Sequence, residues 1–254
     1  MNMHANLIQI QKKSFIFVVI NFLMLLRFFL LTFIFGTNLI YSQDSCEIGH
    51  SIKQHFFAQQ SFKDSLTFYR KLYRKTKKIS KKDDRLELAF YVALRHYPEL
   101  SKTNIRVKFK KINSTMIAQP EADFIVKSRN DRRYKIIINS TKETIGINYE
   151  DLTFNALVGW IGHELAHITD YNKKSNGQLV QFISNYLFSR KHMKHTENCA
   201  DKEAVKRGLG YALYEGVHEL FRNPKIFKHY KDRNKEFYLS PDEILAEIER
   251  VENE

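Results

Sequence analysis

Two histidines stand four residues apart, with a glutamate directly after the first, in the text Gly159-Trp-Ile-Gly-His163-Glu164-Leu-Ala-His167-Ile-Thr-Asp170-Tyr171. On a helix, residues i and i+4 project from the same side. His163 and His167 can therefore each bring one ring nitrogen to a single Zn²⁺, at about 2.0–2.1 Å. Glu164 then reaches a water on that ion and is placed to act as general base for hydrolysis. Gly162 allows a neighbour to approach closely. A catalytic zinc takes three protein ligands and keeps a fourth position open. The third is sought in His195-Thr-Glu197-Asn-Cys-Ala200-Asp201. Glu197 and Asp201 are again four apart on a predicted helix. Glu197 fits as the ligand, and Asp201 fits as acceptor for the outer N–H of a zinc-bound imidazole, fixing its tautomer. His192 and His195 compete with Glu197 for the third position, but only Glu197 comes with a carboxylate one turn later. Tyr211, Tyr214 and His218, further along, are candidates to stabilise an oxyanion, although no motif marks them.

HELAH followed by an E-x-x-A-D helix resembles the gluzincin clan of peptidases, which includes the thermolysin-like and the CAAX-processing enzymes. Glu197-Asn-Cys-Ala200-Asp201 is most similar to the pattern of the latter. The resemblance spans roughly residues 130–210. It implies an edge strand above two zinc-bearing helices, with residues 133–139 as that strand, pairing with the extended backbone of a substrate. A metzincin would need Gly at position 170 and His at 173, where this chain has Asp170 and Lys173. The multiple membrane helices of the CAAX-processing enzymes are missing, so the substrate need not be a membrane protein.

The surrounding text predicts the elements that must carry these side chains. Residues 62–78 and 83–96 show apolar residues at helical spacing, and Pro98 ends the second helix. Ile105-Arg-Val-Lys-Phe109 alternates like a half-buried strand. Residues 114–118 and 122–127 read as further strands, Ser128-Arg-Asn-Asp131 as a turn, and 133–139 as the strongest strand, dense in Tyr and Ile. Helices follow at Thr153 to about Tyr171, at 177–190, at 194–207 closed by Gly208 and Gly210, and at 211–221. Ser240-Pro-Asp-Glu243 opens a last helix. The order predicts an α+β fold: a small, mostly antiparallel sheet with a zinc-bearing helical half.

The chain has 254 residues, 20 Phe, 13 Tyr and a net charge of +13. Residues 14–41 are almost entirely apolar, interrupted by Arg27. From Met24 onward the text reads as a signal peptide ending at Ser42; if it is not cleaved, residues 14–41 form an anchor with membrane association. Residues 1–42 are thus expected to be signal or anchor, and 43–254 a single zinc metallopeptidase domain outside the cytoplasm, whether periplasmic, extracellular or membrane-anchored. Cys46 and Cys199 are either bridged in an oxidising compartment or two free thiols. Eight basic residues crowd into positions 70–82: Arg70, Lys71, Arg74, Lys75, Lys77, Lys78, Lys81 and Lys82. They read first as a solvated helix end and loop; no nucleic-acid motif accompanies them, so no nucleic-acid partner is expected. The leading expectation is a peptidase with one Zn²⁺, acting on peptide or protein substrates. The alternative is an envelope-associated binding protein with a structural zinc and a basic face for anionic lipid or polymer.

Overall fold

In the computed structural model, residues 53–141 and 146–254 are described. The expected export segment, residues 1–42, lies outside them, as does Cys46. Among the described residues no helix is long and apolar enough to cross a membrane. They belong to one unit, Cys46–Glu254.

The centre of that unit is the helix Phe154–Lys173, here α3. The two earlier helices are α1 (Leu66–Tyr73) and α2 (Asp84–Leu94). Most of α3 is buried, on every side, as expected of a helix enclosed by other elements. Thr153 starts it by accepting from the Ala156 N–H, a regular N-cap. At its far end the buried Arg132 guanidinium donates to the Tyr171 and Lys174 carbonyls (3.2 and 2.7 Å) and to Asn176 Oδ1. That guanidinium adds a charged donor to the carbonyls at the helix end, where intrahelical donors run out. Tyr97 donates to the Gly162 carbonyl at 2.8 Å and so ties the chain after α2 to the middle of α3.

Helices α4 (Asn176–Phe188), α5 (Arg190–Ala204), α6 (Gly210–Arg222), α7 (Lys228–Phe237) and α8 (Pro241–Glu252) complete the helical half. Ser175 with Gln178 and Ser240 with Glu243 form capping boxes at α4 and α8. Between α5 and α6 a π-helical segment, Val205–Leu209, contains Gly208 at φ 81°, a conformation glycine adopts without strain. This is the break expected at Gly208. Helix α6 crosses α3 at Gly159, where a Cβ would lie 2.3 Å from the Ala212 backbone; only glycine allows that crossing. Among the described helices, α7 was not anticipated from the sequence, since its text Lys-His-Tyr-Lys-Asp-Arg-Asn-Lys-Glu-Phe is too polar to show a clear apolar stripe.

The sheet has four strands: β1 (Lys77–Ile79), β2 (Asn104–Lys110), β3 (Met116–Pro120) and β4 (Arg133–Asn139), in the spatial order β1-β2-β4-β3. The fold is therefore mixed α/β, with a small mixed sheet. The expectation of a mostly antiparallel sheet is corrected: β1–β2 and β2–β4 are parallel, and only β3–β4 is antiparallel. The cause is topological. Strand β4 inserts between β2 and β3 instead of adding beside β3, so it runs in the direction of β2. As a consequence β4 is interior, and β3 is an edge.

Two element predictions also change. Residues 62–78 do not form one helix: α1 ends at Tyr73, and Lys77–Ile79 pairs with Ile105–Val107. Pairing to β2 overrides the local helical pattern. Residues 122–127 are not a strand; Ala122–Val126 is a 3-10 turn that buries Phe124 and leaves Val126 exposed. Its apolar run lacks the alternation a half-buried strand needs.

Candidate metal centre

Helix α3 presents His163 and His167 one turn apart, and α5 presents Glu197 opposite them. All three are buried. Their facing atoms form a nearly equilateral triangle: His163 Nε2 to His167 Nε2 3.0 Å, His163 Nε2 to Glu197 Oε2 3.1 Å, His167 Nε2 to Glu197 Oε2 3.2 Å. These three residues form a group that can hold a metal ion. Three protein ligands are one fewer than a closed four-coordinate site uses, so an ion held by these residues could take a further ligand. The donor set, two imidazoles and a carboxylate, suits a borderline-soft divalent ion.

The tautomers agree with that role. His163 Nδ1–H donates to Asp201 Oδ1 at 2.7 Å. An ionised carboxylate only accepts, so Nδ1 carries a proton and Nε2 is the nitrogen turned into the triangle. Asp201, 1% exposed, uses its other oxygen to accept the Leu239 N–H at 2.9 Å. Glu197 Oε1 accepts a hydrogen bond from the Tyr186 hydroxyl, which orients the carboxylate and leaves Oε2 for the triangle.

The electrostatics favour a cation at this point. Burial by itself would lower the His163 pKa, but Asp201 and then Glu197 overturn it, so the imidazole is pushed well above its ordinary range. Burial would raise Glu197; His167 and His163 outweigh it and hold the carboxylate well below its ordinary value. Converging lone pairs and carboxylates, taken out of water, need a positive charge among them.

Glu164 lies beside the triangle, also buried. Burial pushes its carboxyl upward, opposed by the charges of His163 and His167 and by the nearby Ala118 backbone. Among the described residues its Oε2 has no hydrogen-bond partner, which is costly for a buried carboxylate oxygen. Ala118 is on β3, so the strand beside Glu164 is β3. The expectation that residues 133–139 would be the edge strand over the site is corrected accordingly.

The structure thus brings together His163, Glu164, His167, Glu197 and Asp201. The rival third ligands sit elsewhere: the His195 ring lies near Cys199 Sγ (3.6 Å), and the His192 ring packs edge-on against Phe182. Tyr211 stacks on Phe56, and Tyr214 stacks on His218. His218 lines a separate surface cavity of about 340 Å³ with Ile147, Asp151, Glu219, Arg222 and Asn223. The aromatic residues that do surround the triangle are Tyr171, stacked on His167, Tyr186, and Tyr238, whose ring centroid is 5.6 Å from that of His163. Tyr171 ends the motif segment, one turn after His167, but no motif pointed to Tyr186 or Tyr238. The one available signal was the position of Tyr238, two residues before the cap of α8.

Cys199 is disulfide-bonded, and Cys46 is the other cysteine of the sequence. Comparison with protein-family models, with curated proteins and with solved structures finds no match to this chain.

Proposed function

We propose that the protein is an exported zinc peptidase of the gluzincin type, in which His163, His167 and Glu197 hold one Zn²⁺ and Glu164 is the general base. The observation that carries the reading is the three-residue triangle with a fourth, non-ligating carboxylate buried beside it, one of whose oxygens has no hydrogen-bond partner among the described residues. A structural zinc site would be closed by four protein ligands and would gain nothing from a buried Glu164. That counts against the binding-protein alternative.

Zinc, when bound, supplies a Lewis acid that acidifies a water and polarises the substrate carbonyl. The chain's residues do the rest. Glu164 takes one proton from the water as its oxygen adds to the peptide carbonyl carbon, while the π pair moves onto the carbonyl oxygen. The pair then returns, the C–N bond breaks, and Glu164 gives its proton to the leaving nitrogen. A carboxyl group whose proton affinity is raised by burial suits both roles, since it takes up a proton more readily than an exposed glutamate and can still release it to an amine. Asp201 keeps the His163 proton on Nδ1 throughout. The edge available to an extended substrate backbone is that of β3, whose Ala118 contacts Glu164. The signal-like text ending at Ser42 supports export, and the disulfide at Cys199 supports an oxidising compartment.

The test is hydrolysis of a mixed peptide library by the purified, zinc-loaded protein, with cleavage sites read by mass spectrometry. Cleavage that disappears on chelation and returns with zinc is the expected result. A zinc-replete protein that cleaves nothing would contradict the reading.

A further inference from the structure

Peptide hydrolysis places a negative charge on the carbonyl oxygen, and a site that stabilises it uses a preorganised donor aimed there. Three tyrosines lie close enough to the triangle for the charge of Glu197 to act on their hydroxyls: Tyr171, Tyr186 and Tyr238. Two are committed. Tyr186 donates to Glu197 Oε1, and Tyr171 points to the Ala118 carbonyl at 3.5 Å. The Tyr238 hydroxyl is not so committed among the described residues; its ring leans on the His163 ring, and the charges of Glu197, Arg233 and Glu164 act on it. A phenol is a donor at neutral pH.

The backbone around Tyr238 is fixed on both sides. Its own N–H closes α7 on the Asn234 carbonyl at 2.9 Å. The next N–H, of Leu239, is bound by Asp201 Oδ2 at 2.9 Å, while Asp201 Oδ1 takes the His163 Nδ1–H at 2.7 Å. Ser240 then caps α8. A single buried carboxylate therefore sets the orientation of a ligand imidazole and the position of the tyrosine whose ring leans on it, 5.6 Å away and tilted by 42°.

We propose that Tyr238 is a catalytic residue whose hydroxyl donates a hydrogen bond to the scissile carbonyl oxygen as that oxygen gains charge, and that Asp201 is the positioning residue for both His163 and Tyr238. The assignment rests on the peptidase reading. No proton is transferred from Tyr238: the bond strengthens when the π pair moves onto oxygen and weakens when the pair returns.

The experiment compares wild type, Tyr238→Phe, Asp201→Asn and the double variant as full, zinc-loaded chains. Zinc content, thermal midpoint, kcat, KM and the affinities for a phosphinic peptide and for a product peptide are measured. For Tyr238→Phe, zinc content and midpoint stay at wild-type values because the lost hydroxyl has no hydrogen-bond partner among the described residues. KM changes little, and kcat falls about 10²–10³-fold. Affinity for the phosphinic peptide, which carries the tetrahedral oxygen, falls in parallel, whereas product affinity does not. Asp201→Asn, at saturating zinc, also loses phosphinic-peptide affinity, and it loses less in the Tyr238→Phe background, as positioning of Tyr238 requires and a role confined to metal binding would not produce. Wild-type hydrolysis together with a Tyr238→Phe variant within twofold in kcat and phosphinic affinity overturns this assignment alone. Absence of hydrolysis by the zinc-loaded wild type overturns the peptidase reading and this assignment with it.

Discussion

Two groups of charged residues stand out in the sequence, and the fold treats them in opposite ways. His163, Glu164, His167, Glu197 and Asp201 come from two segments thirty residues apart and converge on one buried point. The eight basic residues at 70–82 are consecutive or nearly so, yet they disperse. Arg70 pairs with Asp84 and Glu87, Lys81 with Glu150 and the Tyr149 hydroxyl, and Lys77 turns inward, 4% exposed. Its ammonium donates to the Leu100, Ser101 and Thr103 carbonyls at 2.7–3.0 Å. Lys71, Arg74, Lys75, Lys78 and Lys82 remain exposed. The difference lies in the backbone beneath. Residues at i and i+4 stay together because a helix carries them, whereas the basic run crosses a helix end, a short strand and a loop, and each element aims its side chains differently.

The comparison predicts steep, metal-linked losses at the first group and losses graded by burial at the second. The largest effect is expected for Glu197→Ala, which removes one of three ligands: bound zinc and any hydrolysis should be lost together, as read by metal analysis of the dialysed protein. Retention of full zinc would move the third ligand elsewhere. Asp201→Asn should follow, weakening zinc by about 10–100-fold in a competition titration while the chain still folds. In the basic run, Lys77→Ala should cost roughly 2–3 kcal/mol in urea unfolding, because it strands carbonyls that a charged donor now satisfies. Its neighbour Lys78→Ala, exposed, should stay within about 0.5 kcal/mol. Equal costs at 77 and 78 would break the comparison.

The same difference governs what could be read from the sequence. The metal group was legible because its geometry is local: His163 to His167 and Glu197 to Asp201 are one-turn spacings, and only the meeting of the two helices had to be supplied by the fold. The caps at Thr153 and Ser240 and the break at Gly208 were legible for the same reason. The sheet order was not. Nothing in residues 133–139 says that this strand inserts between β2 and β3, and that insertion is what moves the edge from β4 to β3. The end of α1 at Tyr73 was hidden because pairing of Lys77–Ile79 with β2 is a tertiary event. Tyr186 and Tyr238 were hidden too; each reaches the site from an element whose docking no short motif encodes.

The central claim is that two neighbouring glutamates do different work, Glu164 moving protons and Glu197 holding the metal. Glu164→Gln tests it most directly, with zinc content and peptide hydrolysis measured on the same preparation. The account predicts stoichiometric zinc, an intact fold and hydrolysis reduced by about 10²–10⁴-fold or more, the range that general acid–base catalysis contributes. Hydrolysis at the wild-type rate by the zinc-replete Glu164→Gln protein would contradict it.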